Sequence, residues 1–579
     1  MRLVDARRLT GPTHLARTPL VVVELALDAA EALDAAVAGY RRELVRMRAA
    51  LGLSTDLELL VRTHHGGATL AYEAPIDAML ASAEASEWAA LSAIEALAGA
   101  PLPLEPKRTE IETILAGEQN PRLLELAREA RARNVPLLWD DEIVSLGTGR
   151  YAVSYPNHGL PELASIPWDL LGAIPIALVT GTNGKTTSSR LLARIATEAK
   201  LRVALASTDG IAVGTESLED GDWTGPGAAR IALRRTDVDL AVLETARGGI
   251  LRRGLGVETC DVALITNVSD DHLGLYGIDD VAAMAQVKGV VARAVRAGGT
   301  AVLNAHDPNL VALACELSCH VTFFADLDGP PGAALDAARG VIEAALAKGC
   351  RVVVAEAGFV AVRGSAPPGL REDAPGPLVR VDDVPITFGG AARYNVENVL
   401  GAVAMAQALD LPREAILAAL RGFGMQDNPG RGQIIERNGV TVVLDFGHNP
   451  QGVRAVMSLV ASLRKPPGRL VVVTGSPGDR TDEEIEGVAR TLYESRPDRV
   501  FVRELTDYVR GRAVGDVPAL FQRTFRSLGM PEAAFAIAAS EVDALERAFA
   551  DAAPGDVIVV LVHLDKEAVQ AFLAARDAD

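Results

Sequence analysis

Residues 176–187 read Ile176-Ala-Leu-Val-Thr180-Gly181-Thr182-Asn183-Gly184-Lys185-Thr186-Thr187, an apolar run entering a glycine-bounded turn just before a helical segment. That order suits phosphate. Glycines let backbone N–H groups turn inward around phosphate oxygens, and a helix N-terminus adds positive partial charge. Lys185 can then reach the β- and γ-phosphates of a nucleotide, and the Thr186 hydroxyl can ligate Mg²⁺. Val179 stands where the general Walker pattern has glycine, so this is a variant loop. The competing reading, a strand-to-helix turn with no ligand, is weak once Gly-Lys-Thr-Thr stands at the helix start.

Carboxylates recur where apolar strands end. The strand over 239–243 runs into Glu244, a hard oxygen placed for Mg²⁺ beside a triphosphate. The next strand exits through Asn267-Val-Ser-Asp270-Asp271-His272. Alone, such a glutamate is ordinarily an exposed side chain and such a histidine is ordinarily no ligand. Lys288 follows on a helix over 281–296, where an isolated lysine among apolar neighbours ordinarily snorkels to solvent. Further on stand Arg393-Tyr394-Asn395-Val-Glu-Asn398, Asn428-Pro-Gly430-Arg431 and Asp445-Phe-Gly447-His448-Asn449. Asn395 and Asn398 read equally well as helix-cap and first-turn residues.

The Gly-Thr-Asn-Gly-Lys-Thr-Thr form resembles that of the Mur ligases, and the later segments resemble theirs in order. The resemblance implies ATP on loop 181–187 and Mg²⁺ held by Thr186, Glu244, His272 and Lys288, the lysine N-carbamylated into an anionic ligand. Asn267 falls in the pattern after the same strand. Asn395 and Asn398 would contact adenine, with Tyr394 where a histidine commonly stands. Asp445 would contact ribose, and His448 and Asn449 would flank nucleotide and substrate. Arg431 would reach the γ-phosphate across an interdomain cleft, so that closure excludes water from a hydrolysable acyl phosphate.

Ser207-Thr-Asp209-Gly-Ile211, Gly221-Asp222-Trp-Thr224-Gly-Pro226, Glu244-Thr-Ala-Arg247-Gly-Gly-Ile-Leu-Arg252, Ser476-Pro-Gly-Asp479-Arg480 and Arg510-Gly-Arg512 resemble, more narrowly, the Mur-like half of cyanophycin synthetases. Arg8-Leu-Thr-Gly11-Pro12 and Ser145-Leu-Gly147-Thr-Gly149-Arg150 resemble the N domain of the same family. In that family an ATP-grasp domain lies between these parts, whereas here residues 150–174 pass directly from one to the other. The resemblance implies an ATP-dependent carboxylate–amine ligase that adds an amino acid, arginine in the family, to an aspartate side chain of a cyanophycin-like polymer or peptide. A separate enzyme would make the backbone, and the protein would be a homo-oligomer. Asp209, Thr224, Arg247 and Arg252 would face the carboxylate-bearing acceptor, and Asp479 and Arg480 the amine. A structural salt bridge is the alternative for the two arginines Arg247 and Arg252. A silent nucleotide-binding scaffold subunit, an NTPase and a ligase for an unrelated small peptide are the rival functions.

Three regions must position these residues. Residues 1–160 form an N-terminal α+β domain, with a β-like run at Leu20–Leu25 and helices near 28–50, 77–100 and 121–134. Strand–helix alternation over 161–427 predicts a mostly parallel α/β domain carrying the loop. Residues 428–579 predict a smaller Rossmann-like domain. Stretch 363–376 reads as a loop or hairpin. Cys315 and Cys319 could share a helix face but lack partners for a zinc site, and His64-His65 beside Arg62 could help dock an anionic chain, although a hydrated loop is the simpler reading. Fifty-seven basic against 76 acidic residues give a net charge of −19, which disfavours general nucleic-acid binding and anionic membranes. No disulfide framework, signal peptide or membrane span is evident, so a cytoplasmic location is expected.

Overall fold

The computed structural model describes the chain apart from residues 28–32, 98, 272, 372–375 and 576–579 and the side chain of Asp507. Among the described residues four sheets form. The largest has eleven strands, seven of them parallel and in the spatial order Val203–Ser207, Leu240–Glu244, Ile176–Thr180, Cys260–Ile265, Val295–Asn304, His320–Asp326 and Val352–Glu356. Antiparallel strands close both edges: Gly210–Val213 with Glu216–Asp220 on one, Phe359–Arg363 with Gly376–Arg380 on the other. The stretch 363–376, read as a loop or hairpin, joins two strands that pair antiparallel, and its residues 372–375 lie outside the described residues.

Parallel strands covered on both faces need near-continuous apolar sequence, and Ile176–Thr180 and Leu240–Glu244 are buried at every position. Helix Lys185–Glu198 lays Leu191, Leu192, Ile195 and Ala196 on one face, and helix Arg393–Ala408 packs beside it with its apolar residues almost wholly buried. Each such leucine, isoleucine or valine contributes roughly 1.5–3 kcal/mol on leaving water. The sheet is therefore a stiff base whose strand ends hold their side chains in place.

The last sheet orders Gln433–Arg437, Val440–Asp445, Val557–Leu561, Leu470–Thr474, Arg499–Arg503 and Phe535–Ala538, all parallel except the first. Near the N-terminus, a four-stranded antiparallel sheet (Arg2–Leu9, Leu20–Ala26, Gly67–Glu73, Leu60–His64) carries helices Leu33–Ala50 and Met79–Leu97. Helix Lys107–Glu118 was not foreseen in sequence, nor were the strands paired with Leu20–Ala26.

Two expectations fail. Cys315 caps helix Pro308–Ala314 and Cys319 lies beyond it, so they do not share a helix face. His64 is not in a hydrated loop: it ends strand Leu60–His64 with Nε2 3.5 Å from buried Glu24 of strand Leu20–Ala26, and its ring lies against Gly277 of the central domain, where a Cβ would stand 2.4 Å from its Cδ2. Among the described residues no helix is long and apolar enough to cross a membrane.

Candidate functional site

The loop leaving Ile176–Thr180 is held open by two glycines. Gly184 has φ +86°, and a Cβ there would lie 2.1 Å from Asn398 Oδ1. Gly181 has φ +149°, with Thr266 Oγ1 only 1.8 Å from the place of its Cβ. No side chain fits either position. Asn267 clamps the turn from the neighbouring strand's exit: its Oδ1 accepts from Asn183 N at 2.9 Å and its Nδ2 donates to Asn183 O at 3.2 Å. Thr182 N donates to Asn267 O at 2.9 Å. Lys185 bends back over the loop, its Nζ donating to Gly181 O at 3.1 Å and Thr182 O at 3.0 Å.

Thr186 Oγ1 donates to Glu244 Oε2 at 3.0 Å and lies 3.2 Å from Thr208 Oγ1. Glu244 is 2% exposed, and its Oε1 has no hydrogen-bond partner. Burial pushes this carboxyl above its usual range, against the opposing pull of Lys185 and Arg431. A buried carboxylate oxygen without a donor is costly unless a cation meets it. Hydroxyl and carboxylate oxygens are a hard donor pair, so these residues fit Mg²⁺. Lys288 is buried at the end of helix Val281–Lys288, not snorkelling; burial and the Lys185 charge push it down to about 7, while Asp271 opposes them. His272 lies outside the described residues.

The C-terminal domain meets this cluster directly. Asn183 Nδ2 donates to Asn449 Oδ1 at 3.2 Å and to Gln451 Oε1 at 3.0 Å. Arg480 Nη1 bonds Asp271 Oδ1 at 2.5 Å and Glu484 Oε1 at 3.3 Å, and His448 Nε2 stands 3.7 Å from Asp271 Oδ2. Arg431 stacks 4.3 Å over the Phe446 ring and donates to Thr208 Oγ1 at 3.4 Å. Asp445 is buried and accepts from Gly432 N at 2.7 Å and Gly447 N at 2.8 Å.

Asn395 and Asn398 are not caps of helix Arg393–Ala408. Asn395 donates to Ile386 O at 2.9 Å, and Asn398 donates to Asn395 Oδ1 at 3.1 Å while touching the loop at Gly184. Thr187 faces the hinge, accepting from Asn428 Nδ2 at 3.1 Å. Asp209 is held by Arg190 at 2.7 Å and Lys566 at 3.1 Å. Thr224 donates to Asp222 at 2.7 Å and its carbonyl accepts from Ala246 N at 3.2 Å, and Arg247 opens helix Arg247–Arg253 just after Glu244 in the chain. Two residues stand apart from the cluster. Arg252 is exposed and turns back onto Gly248 O of its own helix, and Asp479 is exposed and paired with Arg510 at 2.5 Å.

Sequence reasoning did not single out Thr208, Asp271, Arg190, Asn428 or Lys566. Asp271 and Asn428 carried a signal, the first its place in the strand-exit cluster and the second its place in the string before Arg431.

A glycine loop between strand and helix, facing a second parallel sheet across a short hinge, defines a two-domain phosphate-loop architecture. The family model described as Mur ligase middle domain matches residues 179–337, and that described as Mur ligase, glutamate ligase domain matches residues 430–562. The chain belongs to the Mur ligase family. It is 35% identical over 438 residues to a cyanophycin synthetase of Synechocystis sp., covering 73% of this chain and 47% of that protein. It is 28% identical to a UDP-N-acetylmuramoyl-L-alanyl-D-glutamate–2,6-diaminopimelate ligase of Geobacter metallireducens, covering 67% of this chain and 73% of that one. The chain spans about half the length of the cyanophycin synthetases it matches. Among solved structures, E. coli FolC in complex with DHPP and ADP shares the fold, with a TM-score of 0.50, 20% identity, and coverage of 70% of this chain and 89% of that one.

Proposed function

We propose that the protein is an ATP-dependent ligase that joins the amine of an amino acid to a carboxylate of an acidic peptide or polymer. The observation that carries this reading is the unpartnered Glu244 Oε1, beside the Thr186 hydroxyl and between Lys185 of the loop and Arg431 of the other domain. An NTPase needs the first three groups but not a second domain delivering a guanidinium and an amine-binding surface.

The loop N–H groups and Lys185 hold the triphosphate, once the lysine lets go of Gly181 O and Thr182 O. Thr186, Glu244, His272 and N-carbamylated Lys288 would hold Mg²⁺, which supplies charge neutralisation at the phosphoryl oxygens. A poise near neutrality suits Lys288 to carbamylation, because the neutral amine is the form that reacts with CO₂. Asn395 and Asn398 take the adenine side and Asp445 the ribose. An acceptor carboxylate oxygen bonds to the γ-phosphorus as the bond from that phosphorus to the ADP oxygen breaks, and Lys185 and Arg431 offset the charge spreading over the equatorial oxygens. The amine nitrogen then attacks the acyl carbon, phosphate leaves with the bonding pair, and the nitrogen gives up a proton. His448, 3.7 Å from Asp271, would flank the nucleotide and substrate.

Arg247 and Asp209 support acceptor binding, and Arg480 the amine side. The cyanophycin synthetases among the relatives support arginine as the amine and an aspartate side chain as the acceptor, with a separate enzyme making the backbone and with this chain working as a homo-oligomer in the cytoplasm. Domain limits near 160 and 427 go with this reading.

The test is a matrix of acidic acceptors, among them aspartate oligomers and β-aspartyl-arginine peptides, against single amino acids. ADP release and product mass are read together, with Lys185→Ala as blank. ADP release that needs both partners, with a mass gain of one amino acid less water, is the expected result. ADP release without product would favour an NTPase, and no turnover by folded, nucleotide-binding protein would favour a scaffold.

A further inference from the structure

Helix Lys185–Glu198 presents Thr187, Arg190 and Arg194 along one face, at the spacing that stacks side chains over successive turns. All three end on the hinge between the domains. Asn428 Nδ2 donates to Thr187 Oγ1 at 3.1 Å. Arg190 Nη1 donates to Asn428 Oδ1 at 3.0 Å and to Pro429 O at 3.5 Å. Arg194 Nη1 donates to Asp427 Oδ1 at 3.0 Å. Asn428 is 0% exposed, so the hinge is seated on the phosphate-loop helix and does not hang in solvent.

Arg190 also faces the other way. Its Nη2 donates to Asp209 Oδ2 at 2.7 Å, and Asp209 Oδ1 receives Lys566 Nζ at 3.1 Å from helix Lys566–Ala575 of the C-terminal domain. Lys566 in turn lies over the hinge: a Cβ on Gly430 would stand 3.3 Å from its Cε. One guanidinium therefore connects the phosphate-loop helix, the hinge and the loop after strand Val203–Ser207. Arg431 follows Gly430 immediately, so its aim depends on how residues 427–430 are held. A planar fork with fixed donor directions suits a three-way joint, and a lysine's single ammonium does not reproduce it.

We propose that Arg190 is a positioning residue for the ligase reaction, fixing the hinge and the Asp209 loop to the phosphate-loop helix so that Arg431 and the Asp209–Lys566 contact come together as the C-terminal domain closes over bound nucleotide. The rate consequence rests on the ligase reading; the closure itself does not. Arg190 touches no part of the loop that cradles phosphate, and it acts through Asn428 and Asp209.

Arg190→Gln and Arg190→Lys are compared with wild type by Mg²⁺–AMPPNP affinity, by small-angle X-ray scattering of the AMPPNP-loaded full chain, and by kcat and KM. Arg190→Gln should bind AMPPNP close to wild type yet scatter as a more expanded particle, with kcat reduced on the order of 100-fold, as expected when reacting groups are misplaced by about an ångström. Arg190→Lys should recover part of both losses, since it keeps the charge without the fork. A loaded Arg190→Gln particle as compact as wild type would overturn the proposal. So would an AMPPNP affinity that falls in step with kcat, because Arg190 would then act on the nucleotide itself. If Arg190→Gln does not fold, Asn428→Ala removes the hinge end of the joint and is judged by the same scattering: expansion supports the proposal and wild-type compactness contradicts it. A wild type that makes no amide while the scattering difference persists would sink the ligase reading and leave the joint standing.

Discussion

Asn183 of the phosphate loop and Asn449 of the C-terminal domain exchange amide hydrogen bonds, each 3.2 Å long, across 266 residues of sequence. Asn449 Oδ1 also accepts from Gly452 N at 2.8 Å, capping helix Pro450–Leu463. One side chain thus starts a helix and reads the loop. Asn449→Ala should lower stability by about 1 kcal/mol through the lost cap. It should lower kcat by on the order of 10- to 100-fold through the looser cleft. Urea midpoints and steady-state rates measured together check this, and a stability loss with unchanged kcat would make the cross-domain bonds incidental.

Glu244 bears on metal dependence. Glu244→Gln keeps the shape and the hydrogen bond to Thr186 but removes a buried charge that a cation must meet. In wild type, Mg²⁺ added with AMPPNP should raise the melting temperature beyond AMPPNP alone, because a ligand that binds only the folded state stabilises it by mass action. In Glu244→Gln that Mg²⁺ increment should vanish, and the metal-free melting temperature should not fall. An unchanged increment would move the cation elsewhere.

The loop glycines leave little room. Gly184→Ala would force its Cβ to 2.1 Å from Asn398 Oδ1 at φ +86°. Strain at such a backbone position costs on the order of 1–3 kcal/mol. Differential scanning fluorimetry should show a lower melting temperature and little or no shift with AMPPNP. Normal nucleotide binding in this variant would mean that the loop is more adaptable than its contacts indicate.

His14 sets a pH dependence of stability. Burial, with Arg62 and Arg7 nearby, pushes His14 down to about 4 from an ordinary 6.5, and its Nε2 lies 3.4 Å from Arg62 Nη1. The folded state therefore holds this ring neutral while the unfolded state binds a proton below pH 6.5. Stability from this group is complete above 6.5 and is lost as pH falls toward 4, by up to about 3 kcal/mol. Urea unfolding at pH 7 and pH 4.5 should show a smaller acid loss in His14→Gln than in wild type, and equal losses would rule the ring out.

Local pattern made much of the framework legible. Five of the seven parallel strands of the central sheet declare themselves as apolar runs, while His320–Asp326 and Val352–Glu356 were not singled out. Gly184-Lys185-Thr186 and Glu244 follow strand ends, and the resemblance to the Mur ligases, not spacing alone, set them side by side. What could not be read is pairing between distant segments. Asp271 meets Arg480 over 209 residues, and Lys566 meets Asp209 over 357. Each is an ordinary surface charge until the domains are assembled. Asp479, read from its string as an amine-side contact, pairs with Arg510 at the surface, a contact the string alone did not announce. In the N-terminal domain the short strands carry mixed residues and depend on distant partners, Gly67–Glu73 on Leu20–Ala26 and Leu60–His64 on Gly67–Glu73, so no period revealed them.

The central claim is that an acceptor carboxylate, not water, takes the γ-phosphoryl group, and oxygen labelling tests it most directly. The acceptor found by the substrate matrix is prepared with ¹⁸O in its carboxyl groups and incubated with Mg²⁺-ATP and the amine, and the phosphate released is analysed by mass. The expected result is one ¹⁸O in each phosphate formed alongside amide, because the acyl phosphate breaks at carbon and its bridging oxygen leaves with phosphorus. Phosphate carrying no ¹⁸O would mean that water takes the phosphoryl group, and would contradict the ligase mechanism.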